Sequence, residues 1–381
     1  MAGLRTEKYD NVNLLRAFAA LSVVVYHVIE LGGWKSFPTE GPLTTFRIGW
    51  LGVDLFFVIS GFVISYSALI LHRLAPAAFA GQYWRRRLTR ILPLYLLTLV
   101  LWIAFAWPTF FSQATRDWAW QLFTHLTFIH SFWPATHGAI DGPNWSLAIE
   151  MQFYLAIALA IGWIDRTPGW RIWLYGILIA WAWRACMVVL YAGDVPVLFV
   201  RTTQLPGTLD EFGAGIFLAK WILDGRRRMP LKGAPWIVAG ALVGYGTMKI
   251  YWRWAGYWDV PWMVVFWRTA LAGLFFCAVA AAVDLPRALS RRWLRPLEYL
   301  GEISYGIYLW HLFAIQYVIY VLGARGLESL VAVLGLTVLA AALSWRYFEK
   351  PFMDLARRRP DDSRAPDPTA ASTPVKEGGL W

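Results

Sequence analysis

The sequence predicts an all-α polytopic membrane protein of about ten transmembrane helices with both termini in the cytoplasm. Three observations predict it. Hydrophobic residues make up 58% of the 381, charged residues only 15%, and the mean hydropathy is +0.47, far from the balance of a water-soluble domain. Apolar runs long enough to cross a hydrocarbon core of ~30 Å recur along nearly the whole chain. The cations, finally, are sorted between alternate loops.

The spans are expected at residues 11–30, 49–71, 88–107, 145–164, 171–191, 207–223, 236–251, 262–284, 301–322 and 328–348. The apolar segment 118–133 is too short to span and reads as a re-entrant or interfacial helix, its Trp118, Trp120 and Trp133 suited to the headgroup level. One set of loops holds Arg73, Arg85, Arg86, Arg87 and Arg90; Arg166 and Arg171; Arg226, Arg227, Arg228 and Lys232; and Arg287, Arg291, Arg292 and Arg295. The alternate loops hold only Lys35, Arg47, Arg116, Arg201, Arg253 and Arg325. The positive-inside rule places the first set in the cytoplasm, and an even number of spans follows.

The net charge of +11 therefore lines a membrane face rather than a nucleic-acid groove, and no nucleic-acid partner is expected. The only cysteines, Cys186 and Cys277, lie inside expected spans, which implies neither a disulfide framework nor a metal site. No cleavable signal peptide is expected, because the first apolar segment lacks a small-residue exit and keeps its ionisable residues. Residues 1–352 read as one membrane-embedded domain without internal repeats. Residues 353–381, rich in Pro and charge, read as a disordered cytoplasmic tail. The long connection 108–144, opposite the cationic loops, reads as functional or disordered.

Ionisable residues inside the spans point to chemistry, since the bilayer makes idle charge costly. Arg16 and His27 stand eleven residues apart on the first span, about three turns, so they share a face and lie roughly 16 Å apart along the axis. Depth counting puts His27, Asp54, Glu150, Asp210 and Glu211 in one layer some 5–8 Å below the outer surface, with His311 deeper. One imidazole among carboxylates suits a general base with orienting partners, and equally a proton relay. On the inner side Arg87 and Arg90, three apart, share a helix face that suits a phosphorylated ligand, or serve simply as a positive-inside anchor.

Seven stretches, in order over roughly residues 10–352, resemble the integral-membrane acyltransferase-3 family. They are Arg16-x10-His27; Gly49-Trp-Leu-Gly-Val-Asp-Leu-Phe-Phe-Val-Ile-Ser-Gly-Phe; Arg86-Arg-Leu-Thr-Arg-Ile-Leu-Pro; Asn144-Trp-Ser-Leu-Ala-Ile-Glu-Met-Gln-Phe-Tyr; Leu209-Asp-Glu-Phe-Gly-Ala-Gly; Ile303-Ser-Tyr-Gly-Ile-Tyr-Leu-Trp-His; and Phe348-Glu-Lys-Pro. The resemblance implies a ten-helix enzyme of the bacterial inner membrane that moves an acyl group, most often acetyl, from cytoplasmic acyl-CoA to a glycan hydroxyl at the outer face. It implies that Arg16, Arg86, Arg87 and Arg90 meet the CoA phosphates and that His27 is the base or is itself acylated. It further implies that Asp54 and Glu150 orient the histidine, while Trp145, Ser146, Asp210, Glu211, Tyr305 and His311 face the acceptor. Acetyl-CoA is then a donor substrate, and no metal is expected. The chain is expected to lack the C-terminal esterase-like domain of many glycan-modifying relatives. That leaves the acceptor open between a lipid-linked glycan, an exopolysaccharide precursor and a small molecule such as a macrolide. A proton-coupled exporter and a non-catalytic scaffold are the rivals from other classes. The exporter lacks paired broken helices in corresponding halves, and the scaffold leaves the levelled cluster unexplained.

Overall fold

The computed structural model describes residues 9–224, 233–254, 256–285 and 292–357. Among them the regular secondary structure is all helical: α1 (Asp10–Leu31), α2 (Gly52–Leu74), α3 (Phe79–Leu101), α4 (Thr115–Leu126), α5 (Asn144–Arg166), α6 (Gly169–Tyr191), α7 (Val195–Thr202), α8 (Leu209–Leu223), α9 (Ala234–Arg253), α10 (Pro261–Asp284), α11 (Arg295–Glu302), α12 (Ser304–Ile315), α13 (Gly326–Ser344) and α14 (Lys350–Arg357). Among the described residues, seven stretches are long and apolar enough to cross a membrane: Asp10–Leu31, Pro42–Leu74, Pro76–Ala106, Asn144–Arg166, Gly169–Tyr191, Pro261–Asp284 and Gly326–Leu355. The other three expected spans are helical where expected, as α8, α9 and α12, but they are shorter or less apolar. The segment expected to be re-entrant, 118–133, overlaps the 12-residue α4. The loop cations Arg226, Arg227, Arg228, Lys232, Arg287 and Arg291 lie outside the described residues, as does the tail beyond Arg357.

Local chemistry accounts for the ends of these helices. Asp10 in the first turn of α1 complements the positive helix terminus. Asp194 caps α7 by accepting from the Val197 N–H at 3.1 Å. Prolines at the first positions of α7, α9 and α10 cost no helical hydrogen bond there. Phe348, Phe352 and Leu355 continue a helical stripe, and α14 runs to Arg357 with Met353 Sδ 3.6 Å from Arg90 of α3.

The bundle centre is the contact of α2 with α8. A side-chain carbon at Gly61 would collide with the Phe212 carbonyl, and one at Gly215 with the Val58 carbonyl, so only glycine allows this close approach. Helix α1 packs against α2, α10, α11 and α12, and α12 against α13. A cluster built on Phe57, Phe153 and Phe212 joins α2, α5 and α8, with the Phe153 and Phe212 rings stacked at 4.0 Å. π-helical turns follow α3, α12 and α13 (Trp102–Ala106, Gln316–Val321 and Trp345–Glu349). The last of them turns Glu349 inward to meet Arg90 at 3.9 Å.

Candidate active site

The residues expected in one layer separate into three groups. The first surrounds a cavity of about 130 Å³ between α1, α2, α3, α5 and α12, lined by Arg16, Arg87, Arg90, Glu150, Ser146 and Tyr305 among others. Three guanidiniums face one lining carboxylate, so the wall carries excess positive charge. Each cation is held by its surroundings. Arg16 donates to Ser304 Oγ at 3.3 Å. Arg87 donates to Ser67 Oγ and lies over the Tyr83 and Tyr154 rings at 5.7 and 5.6 Å. Arg90 donates to the Glu302 carbonyl at 3.2 Å and stacks on Trp345 at 4.8 Å. Arg86 is exposed and does not line the cavity, because its place on α3 turns it away from the face Arg87 and Arg90 share. Glu150 accepts from Ser60 Oγ at 2.7 Å and Tyr154 Oη at 2.9 Å, so its partners are the cavity hydroxyls and not His27.

The second group is a histidine pair reached through Tyr308, which lines the same cavity. Tyr308 Oη bonds Ser146 Oγ at 2.7 Å and donates to the Pro143 carbonyl at 3.2 Å, and its ring lies 5.7 Å from that of His311. His311 is fully buried, and its Nε2 is 3.2 Å from Nδ1 of the half-buried His27. The imidazole thus finds an imidazole partner where carboxylates were expected. The contact brings His311, expected deeper than His27, to the level of His27.

The third group is a buried ionic network. Arg184 donates to Asp210 Oδ1 and the Gly207 carbonyl, both at 2.7 Å, and to the Val265 carbonyl at 3.2 Å. Thr269 Oγ1 donates to Asp210 Oδ2 at 2.6 Å. Glu211 Oε1 lies 3.9 Å from Arg184, and Arg268 Nε lies 3.6 Å from Asp54 Oδ1. Asp54, Asp210 and Glu211 therefore join α2 and α8 to α6 and α10, and none of the three lines the cavity. Sequence reasoning missed Arg184 and Arg268; the available signal was an arginine inside an apolar span, the same signal that singled out Arg16. It also passed over Ser60, Tyr154, Ser304 and Tyr308, whose hydroxyls carry no distinctive signal. Asp165 accepts from Arg73 Nε at 2.8 Å and its backbone carbonyl accepts from Lys220. Breaking a buried ion pair on one side costs about 3–5 kcal/mol. Arg184→Leu is thus expected to lower the melting temperature of the purified protein sharply, and an unchanged value would contradict this account of the network.

The connection 127–143 is not a solvated loop. The His125 and His130 rings stack at 4.1 Å, His130 Nε2 meets the Asn144 carbonyl at 3.0 Å, and His137 stacks on Trp145 at 5.3 Å. Burial, then His130, pushes His125 down to about 3 and His137 down to about 4. Burial pushes the Asp141 carboxyl up to about 8. The signs oppose. Below about pH 6.5 the unfolded chain binds protons that the folded histidines refuse, so stability falls on acidification. Above about pH 4 folded Asp141 holds a proton that the unfolded chain has released, and this cost grows until about pH 8. Asp141→Asn is expected to flatten the decline in melting temperature between pH 6.5 and 8 relative to the wild type, with the acid-side decline retained. Parallel slopes in the two proteins would refute it.

A membrane-embedded helical bundle with a cationic cavity beside a buried histidine pair is the architecture of an integral-membrane group-transfer enzyme. A family described as an acyltransferase domain matches residues 9–348, and the chain belongs to that family. Among curated proteins it is 29% identical to the putative membrane-bound transacylase BcsY of Komagataeibacter xylinus over 93% of this chain and 85% of that protein. It is 26% identical to the acyltransferase MdmB of Streptomyces mycarofaciens over 97% and 98% respectively. It is 28% identical to the O-acetyltransferase OatA of Staphylococcus aureus over 88% of this chain and 56% of that protein. No solved structure matches. The chain is a multi-pass bacterial membrane acyltransferase of the O-acyl class.

Proposed function

We propose that the enzyme takes an acyl group, most directly acetyl, from acyl-CoA on the cytoplasmic side of the inner membrane and places it on a glycan hydroxyl at the outer face. The observation that carries this reading is the continuity from three guanidiniums, through Tyr308, to the His311–His27 pair. Arg16, Arg87 and Arg90 suit the CoA phosphates, whose charge they match by charge-assisted hydrogen bonds. The cavity holds roughly four waters' worth of space. That is room for the thioester end of the pantetheine arm, with the nucleotide at the arginine-rich mouth. The loop cations support a cytoplasmic mouth.

His27 acts on the acceptor. Its imidazole takes the hydroxyl proton while the oxygen bonds to the thioester carbonyl carbon. The C–S bond then breaks, and the departing thiolate receives that proton to give free CoA. The alternative order, in which His27 is acylated first and then passes the group on, uses the same nitrogen. Ser146 and Tyr308 hydroxyls stand on the cavity side of this step, and Tyr305 is committed to the Ile91 carbonyl at 2.9 Å. Asp54, Asp210 and Glu211 hold the bundle together and do not handle substrate.

A small-molecule acceptor such as a macrolide is the second reading. It is favoured by the run of aromatic faces Trp145–Phe199–Trp258, with ring centroids 5.4 and 5.8 Å apart, at the end of the bundle that carries His27. The test is transfer of label from acetyl-CoA by the purified protein to short oligosaccharides or to macrolides. Labelled oligosaccharide supports the first reading, labelled macrolide the second, and intact acetyl-CoA with every acceptor overturns both.

A further inference from the structure

The histidine pair carries more information than a shared contact, because its hydrogens can be placed from its acceptors. His311 Nδ1 lies 2.6 Å from the backbone carbonyl of Tyr308, a group that only accepts. A lone pair on that nitrogen would face the carbonyl lone pairs at close range, so the proton sits on Nδ1. In the neutral ring Nε2 is then an acceptor, and it faces His27 Nδ1 at 3.2 Å. The other neighbour of His27 Nδ1 is the Val23 carbonyl at 3.0 Å, again an acceptor. Both partners demand a hydrogen on His27 Nδ1. The remaining nitrogen, His27 Nε2, therefore carries the lone pair.

We propose that His311 is a positioning residue that fixes the reactive tautomer of His27: the chain Tyr308 C=O···H–Nδ1 His311 Nε2···H–Nδ1 His27 leaves His27 Nε2 as the free base. An imidazole anchored to a backbone carbonyl thus does what a carboxylate does in many hydrolase triads, without bringing a second charge into the membrane. The packing favours a fixed relay over an incidental contact: His311 is wholly buried, and α12 packs directly on α1. A leucine at this position keeps bulk but offers no acceptor, so His27 would lose one of the two groups that hold its proton on Nδ1. A glutamine offers a side-chain amide oxygen to accept the same hydrogen.

This inference rests on the reading of His27 as the group that acts on the hydroxyl, and its test separates the two. Purified wild-type, His311→Leu, His311→Gln and His27→Ala proteins are assayed for thiol release from acetyl-CoA in the presence of a panel of short oligosaccharides. His311→Leu is expected to lower kcat about 10²- to 10⁴-fold, with KM for acetyl-CoA within about twofold of the wild type. His311→Gln is expected to recover to within about tenfold of the wild type. A His311→Leu enzyme at the wild-type rate, or a folded His311→Gln enzyme as slow as His311→Leu, overturns the positioning role while leaving His27 in place. An active His27→Ala enzyme instead overturns the reading of His27 itself. Should His311→Leu fail to fold, ¹⁵N spectra of histidine-labelled wild-type protein decide, with His27 assigned by difference against His27→Ala. A protonated Nδ1 and bare Nε2 on His27 support the relay, and the reverse overturns it.

Discussion

His27→Ala is expected to abolish acyl transfer, with the rate falling at least 10²- to 10⁴-fold while the protein remains folded. The expectation follows from position. His27 is half-buried, so its ring is open to a reactant on one side while His311 and the Val23 carbonyl hold the other. Removing it places no charge in the bilayer and leaves His311 Nε2 without its partner, a cost of about 1–3 kcal/mol that the bundle should survive. Transfer of label from acetyl-CoA to an acceptor, together with melting temperatures of both proteins, checks it. Full acceptor acylation by a well-folded His27→Ala enzyme would end the assignment. The same experiment without acceptor separates the two chemical orders. Label that remains on wild-type protein after rapid quenching, and is absent from His27→Ala, identifies an acylated histidine; its absence from both supports direct transfer.

The second large effect belongs to the cavity arginines. Each guanidinium–phosphate hydrogen bond is a charge-assisted one worth about 1.5–3 kcal/mol, or about 10- to 100-fold in affinity. Arg87→Ala/Arg90→Ala is expected to raise KM for acetyl-CoA by about 10²- to 10⁴-fold, and salt is expected to weaken the wild type more than the variant. The two positions are not equivalent. Arg90 also holds the Glu302 carbonyl, Met353 and Glu349, so its loss loosens α14 from α3. Arg87 contacts Ser67 and two tyrosine rings, so Arg87→Ala reports ligand binding more cleanly. Arg87→Lys keeps the charge and loses the planar fork, and an intermediate KM is expected. Unchanged acetyl-CoA binding in the double variant would return both residues to the role of topology markers.

The bilayer explains why so much of this fold was legible. A spanning segment must be apolar and about 20 residues long, and a periodicity of that kind survives without any knowledge of packing. The cost of charge in the membrane marked Arg16, Glu150 and His27 by the same logic. What axial counting cannot supply is azimuth. Asp54 and Ser60 stand six apart on α2, roughly 120° from each other around the axis, so they meet different helices. Asp54 consequently faces Arg268 on α10, while Ser60 faces Glu150 on α5, although both carboxylates were counted into one layer. The His27–His311 contact joins residues 284 positions apart and needed the packing of α12 on α1, which no local pattern announces. The connection 108–144 reads as functional or disordered because it holds no apolar run of spanning length. His125 near the end of α4 and His130 beyond it are nevertheless buried.

The central claim is that the donor and the acceptor are served from opposite ends of one bundle. It is tested most directly with the enzyme in sealed vesicles of known orientation. Labelled acetyl-CoA is supplied only on the side of the Arg87–Arg90 mouth, and a membrane-impermeant oligosaccharide only on the other. The account predicts acetyl ester on the oligosaccharide across the membrane, lost in His27→Ala. Acetylation that occurs only when both reactants share one side would contradict it.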